Sequence, residues 1–128
     1  MNKKLIIVGA IFGMLAIILG AFGAHALKNV LTVEQLNTFE TGVKYQMYHA
    51  LFLLFLSNTQ MVTEKSKKTI LILITLGVLF FSGSIYLLAT NNLTSFDFRV
   101  IGFVTPIGGF LLIIGWFFVI ANFFNKKS

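Results

Sequence analysis

Four stretches of about 20 predominantly apolar residues, 5–24, 42–62, 69–89 and 100–124, take up most of this 128-residue chain. A helix rises about 1.5 Å per residue, so each stretch is long enough to cross about 30 Å of hydrocarbon. Hydrophobic residues make up 57% of the chain and charged residues 11%, against roughly 25% charged in an ordinary soluble domain. There are too few polar side chains to cover a water-facing surface. The sequence is therefore that of an all-α integral membrane four-helix bundle, one transmembrane domain over residues 1–128, with no length left for a second.

The first run follows Lys3 and Lys4, and Ala24-His25-Ala26 imitates a small-x-small cleavage site. A secretory signal core is only about 7–15 residues long. This run is longer and three others follow it, so it reads as a span. The chain has no cysteine, which excludes disulfides, thiolate metal sites and thiol catalysis.

Residues 27–41 differ in character. Thr32 followed by Gln35 matches a capping box. Leu36, Phe39 and Val43 recur at spacings that give one apolar stripe. The pattern predicts a short amphipathic helix at the interface after the first span, meeting the second span at Gly42.

The formal net charge is +6, but the basic residues sit at chain ends and connections rather than on one face. That placement reads as membrane topology and attraction to anionic lipid, not nucleic-acid binding. Lys3, Lys4, Lys65, Lys67, Lys68, Lys126 and Lys127 would share one side, with Lys28, Lys44 and Arg99 on the other. This imbalance predicts a multi-pass protein of the cell (inner or plasma) membrane with both termini cytoplasmic.

Gly9, Gly13, Ala16, Gly20 and Gly23 form a stripe of small residues on the first helix. In lipid such a stripe lets two helix backbones approach closely. It suits a neighbouring helix of the same chain or, alternatively, a second copy or another membrane protein. Pro106 predicts a kink in the fourth span, because its ring displaces the carbonyl of Gly102.

With the N-terminus inside, the polar groups fall toward the outer half of the bundle. His25, Lys44, Tyr45, Gln46, His49, Ser84, Tyr86 and Thr105 are the candidate ligand-binding residues. The competing reading makes the same residues hydrogen-bonding glue between helices. Two histidines without a third ligand fall short of a zinc set. No nucleophile–base pair stands in a recognisable context, so neither a metal, a cofactor nor a catalytic residue is assigned. The functional expectation is a non-enzymatic protein that binds a lipid or another membrane component. A small transporter or channel component, or an assembly subunit of a membrane complex, is the alternative.

The same positions carry a family pattern. Gly20-Ala21-Phe22-Gly23-Ala24-His25-Ala26-Leu27, Thr41-Gly42-Val43-Lys44-Tyr45-Gln46-Met47-Tyr48-His49-Ala50, Phe81-Ser82-Gly83-Ser84-Ile85-Tyr86 and Thr105-Pro106-Ile107-Gly108-Gly109 resemble four signatures in order. They are those of the YgdD/YwdK-like small membrane proteins, domain-of-unknown-function family 423, with transmembrane protein 256-like relatives. The resemblance implies a four-helix membrane protein and brings no activity, substrate or cofactor with it.

Overall fold

The computed structural model describes residues 1–125. Lys126 and Lys127, counted above in the charge imbalance, lie outside the described residues. The described chain is four helices: α1 (Asn2–His25), α2 (Val33–Asn58), α3 (Glu64–Ala89) and α4 (Val104–Asn125). Two short 3-10 turns, Asn91–Leu93 and Phe98–Ile101, join α3 to α4.

Local chemistry sets the helix starts. At α2 the Thr32 hydroxyl accepts the Gln35 N–H at 3.1 Å, and the Gln35 side chain accepts the Thr32 N–H at 2.9 Å. Two of the free N–H groups of the first turn are thereby satisfied. Thr63 caps α3 through the Ser66 N–H at 3.1 Å. Glu34 and Glu64 stand in the first turns of their helices, where the helix dipole favours a negative charge.

Two expectations are corrected here. The amphipathic segment after Thr32 is not a separate short helix. It is the first part of α2, which runs without a break through Gly42 for 26 residues, about 39 Å. Gly42 does not break the helix; it makes room for the Tyr86 ring, which lies 2.6 Å from where a Cβ would stand. Pro106 does not kink a span. It is the third residue of α4, in the first turn, where its missing N–H has no intrahelical partner to lose.

Consecutive helices run antiparallel, so the N-terminus, the α2–α3 connection and the end of α4 share one end of the bundle. Lys67 Nζ reaches Asn2 Oδ1 at 2.9 Å there, and the Thr63 N–H reaches Asn122 Oδ1 at 3.2 Å. We call this the terminal end, and the opposite one the connection end. The α1/α2 and α3/α4 interfaces are extensive, α2/α3 is smaller, and α1 and α4 lie on the flanks.

The core runs through all four helices, with Leu5, Leu53, Leu56, Ile70 and Ile74 fully buried. A second cluster of Leu27, Leu31, Phe39 and Ala89 closes the connection end. Small residues set the close approaches. Gly9 lies 3.0 Å, measured from an added Cβ, from the Ala50 carbonyl, and Gly23 lies at the same distance from the Phe39 ring. The stripe on α1 thus faces α2. On the other side Gly108 packs onto the backbone of Phe80 and Phe81, and Gly115 onto Ile74.

The outward faces are apolar: Ile17 is 66% exposed, Ile113 66% and Phe117 58%. α1, α3 and the segment 98–124 are long and apolar enough to cross a membrane. α2 is less apolar because Lys44, Gln46 and His49 lie within it.

Candidate functional site

Several buried polar side chains of the helices are used between helices. Gln46, buried on α2, donates its amide N–H to the Phe12 carbonyl of α1 at 2.8 Å. Its amide oxygen accepts the Tyr86 hydroxyl of α3 at 2.6 Å. One side chain therefore ties three helices. Ser82 donates to the Gly42 carbonyl at 2.7 Å. Ser84 contacts the Thr105 hydroxyl at 2.5 Å and donates to the Phe81 carbonyl at 3.0 Å. A hydroxyl has one proton, so with that proton on Phe81 the Ser84–Thr105 bond uses the Thr105 proton. No buried side-chain nitrogen or oxygen among the described residues lacks a partner.

His49 is held at both ring nitrogens. Nδ1 lies 2.6 Å from the Tyr45 carbonyl, and Nε2 lies 3.0 Å from the Trp116 indole nitrogen. An indole N–H only donates and a carbonyl only accepts. The arrangement therefore requires a neutral imidazole protonated at Nδ1. Both nitrogens are occupied, and no group of three or more potential ligands occurs among the described residues to hold a metal.

The eight candidate residues do not form one cluster. Gln46 and Tyr86 pair, Ser84 and Thr105 pair, and Tyr45 supports His49 through its backbone. His25 and Lys44 are exposed. His25 lies near Gly23, which packs on Phe39, whereas His49 neighbours Ala50, which packs on Gly13. The two histidines are thus about ten residues apart in level, roughly 15 Å. His25, Ser84, Tyr86 and Thr105 lie toward the connection end, but the expected depth of His49 is corrected. Because α2 starts at Val33 instead of Gly42, His49 sits about 24 Å along it, near mid-length of the bundle.

Sequence reasoning passed over Trp116, Tyr48 and Ser82 as site residues. A signal for Trp116 was available: it is the one tryptophan of the chain, inside an apolar run, and an indole N–H away from water needs an acceptor. His49 supplies it.

Around Trp116 the surface is concave. A groove of about 270 Å³ is lined by Tyr45, His49, Phe81, Gly109, Leu112, Ile113 and Trp116. A second, of about 340 Å³, continues from Trp116 along Tyr48, Leu51, Phe52, Phe55 and Val119. Its walls are aromatic: Phe52 and Trp116 ring centroids are 4.3 Å apart, and Tyr45 meets Phe81 edge to face at 5.2 Å. A cleft of about 390 Å³ at the far end of α4 is lined by Val119, Ile120, Phe123 and Phe124 alone, with no polar side chain to orient a ligand.

The family model described as "Protein of unknown function (DUF423)" matches residues 19–109. The chain is 41% identical to a UPF0382 membrane protein of Staphylococcus saprophyticus over 96% of its own length and 98% of that protein's. It is 38% identical to the UPF0382 membrane protein YwdK of Bacillus subtilis over 93% and 94% of the two chains. It is 33% identical to the UPF0382 inner membrane protein YgdD of Escherichia coli, over 98% and 93%. No solved structure matches. With four signatures in order on a helical bundle, and relatives matched along nearly their whole length, this membrane protein belongs to the DUF423 family.

Proposed function

We propose that the protein crosses the cell membrane four times with both termini cytoplasmic, and that it holds a lipid or other membrane component in the groove between α2 and α4 without catalysing a reaction. The observation that carries this reading is the concave aromatic surface around Trp116, open to the side of the bundle. The buried polar groups are paired within the protein, and this groove borders one of them, His49. Ligand sites are typically concave and mostly apolar, with a few polar groups that fix orientation.

α2 serves as the fourth crossing because the two polar side chains on its buried face are covered. Gln46 and His49 are buried, and their partners lie on α1, α3 and α4. In hydrocarbon such groups need partners within the protein. The basic residues Lys3, Lys4, Lys65, Lys67 and Lys68 lie at the terminal end, which favours that end as the cytoplasmic one.

The cysteine-free chain allows a direct topology test. Gln60→Cys in the α2–α3 connection should react with a membrane-impermeant maleimide only after cells are opened. Ser95→Cys in the α3–α4 connection should react in intact cells, and the reverse pattern sinks the orientation. For the groove, native mass spectrometry of detergent-washed protein should retain about one bound membrane component. Ile113→Trp, which fills the groove, should lose it. A wild-type protein that carries nothing, or a variant that keeps the same adduct, removes the reading.

A further inference from the structure

Tyr45 and Tyr48 pose a chemical problem. They lie on the outward side of α2, 41% and 53% exposed, with ring centroids 5.5 Å apart in an edge-to-face arrangement. Neither hydroxyl has a hydrogen-bond partner among the described residues, in contrast to the third tyrosine, Tyr86, which reaches Gln46. Exposure to water would satisfy them, but their depth rules water out. Gly13 is near the centre of the apolar run 5–24 and faces Met47 and Ala50. On the proposed four-span crossing Tyr48 is therefore at mid-span, about 15 Å from either surface of the hydrocarbon layer, and Tyr45 is less than one turn nearer the connection end. An unpaired hydroxyl there carries a large desolvation cost.

The depth also narrows what the partner can be. Phosphate and ester groups of phospholipids stay at the interface, beyond the reach of a tyrosine at mid-span. The acceptor must be a molecule that dissolves in the hydrocarbon. The groove adds shape to this requirement. Trp116, backed by the buried Phe52, and Phe81 offer aromatic walls, which favour stacking or edge contact with another ring. Each half of the groove, about 270 and 340 Å³, is at the small end of ligand sites, roughly 300 Å³. That suits a ring and not a headgroup with two chains.

We infer that the ligand is an isoprenoid quinone, its ring in the groove beside Trp116, with Tyr45 and Tyr48 donating to ring carbonyls and its tail passing outward into the bilayer. The inference rests on the groove being the ligand site, and it names the ligand class. It requires binding only. His49 keeps both its hydrogen bonds and acts as a positioning residue for the Trp116 wall.

Trp116, the one tryptophan, is a built-in reporter. Protein in nanodiscs of defined quinone-free phospholipid is titrated with a naphthoquinone bearing a short prenyl tail, and tryptophan emission is followed. Wild-type protein should show saturable quenching. The double variant Tyr45→Phe, Tyr48→Phe keeps both rings, and should bind about tenfold more weakly through loss of two hydrogen bonds. Unchanged helix content and melting temperature would show that this variant is folded. Non-saturable quenching equal in both proteins means mere partitioning, and overturns the quinone. So does equal displacement of the probe by a prenyl alcohol with the same tail. If the native mass spectrum instead shows a retained phospholipid that Ile113→Trp expels, the groove stands as a lipid site and the quinone alone falls. A dimer that shields Trp116 from the probe overturns both.

Discussion

Trp116 on α4 donates its indole N–H to Nε2 of His49 on α2 at 3.0 Å, with the two rings nearly perpendicular at 82°. The bond joins two helices that are not neighbours in sequence. It also fixes the imidazole tautomer, because the opposite nitrogen faces the Tyr45 carbonyl. In ¹⁵N spectra His49 should show a protonated Nδ1 and an unprotonated Nε2. Trp116→Phe should cost about 0.6–1.7 kcal/mol, the range for one interhelical hydrogen bond in a membrane protein. A protonated Nε2 in the wild type is incompatible with this geometry.

Gln46 joins α1, α2 and α3 through two bonds from one amide. Gln46→Leu leaves the Tyr86 hydroxyl without its buried acceptor and should cost about 1–3 kcal/mol. Tyr86→Phe removes one bond together with its donor and should cost less. Unfolding in mixed micelles would rank the two. In a double-mutant cycle they should be non-additive, since both disrupt the same contact.

Two glycines on the α3/α4 side should respond oppositely to the same change. A Cβ on Gly108 would collide with the backbone of Phe81, whereas one on Gly83 meets nothing within 4 Å. Gly108→Ala should destabilise by about 1–3 kcal/mol, because α3 and α4 must separate. Gly83→Ala should be neutral or stabilise by up to about 1 kcal/mol through helix propensity. Equal melting temperatures for the two variants would contradict the crossing.

In the α3–α4 connection Arg99 donates to both carboxylate oxygens of Asp97, at 3.0 Å from Nε and 3.0 Å from Nη2. These side-chain bonds, with help from the Arg99 backbone N–H and the Asn91 side chain, hold the Asp97 carboxyl down to about 2. A depressed carboxyl stabilises the loop above its ordinary value of about 4, and the contribution is lost as pH falls toward 2. A ¹³C titration of the side-chain carboxyl should therefore have its midpoint near 2. A midpoint near 4 would mean that the Arg99 fork is open.

Composition and periodicity reveal the class of the fold because hydrocarbon tolerates few alternatives to helices. The Thr32–Gln35 capping box was legible for the same local reason: both partners lie within one turn. Boundaries were less so. The second helix reads as starting at Gly42 only if its polar first turns are taken as a separate element, and that shift misjudged the depth of His49. The α1 stripe was readable as a repeat, but the partner that each small residue meets was not. Lys67 shows the limit most clearly. Sequence alone makes it one of several basic residues beside a span, yet it is 3% exposed with its ammonium on Asn2 Oδ1. Asn2 is 65 positions away, and no local pattern encodes such a pairing. Likewise Trp116 and His49 are 67 apart, so the groove exists only once α4 has folded back beside α2.

The unequal interfaces suggest how the chain can be divided. α1 with α2, and α3 with α4, are each zipped along glycines, while the seam between the two hairpins is narrower and is pinned by Ser82–Gly42 and Tyr86–Gln46. Each hairpin is then an insertion unit in its own right, and the short peptide between Asn58 and Glu64 joins them, with Val62 in the core and Thr63 bonded to Asn122. Co-expressed halves severed there should find one another in the bilayer and rebuild the whole.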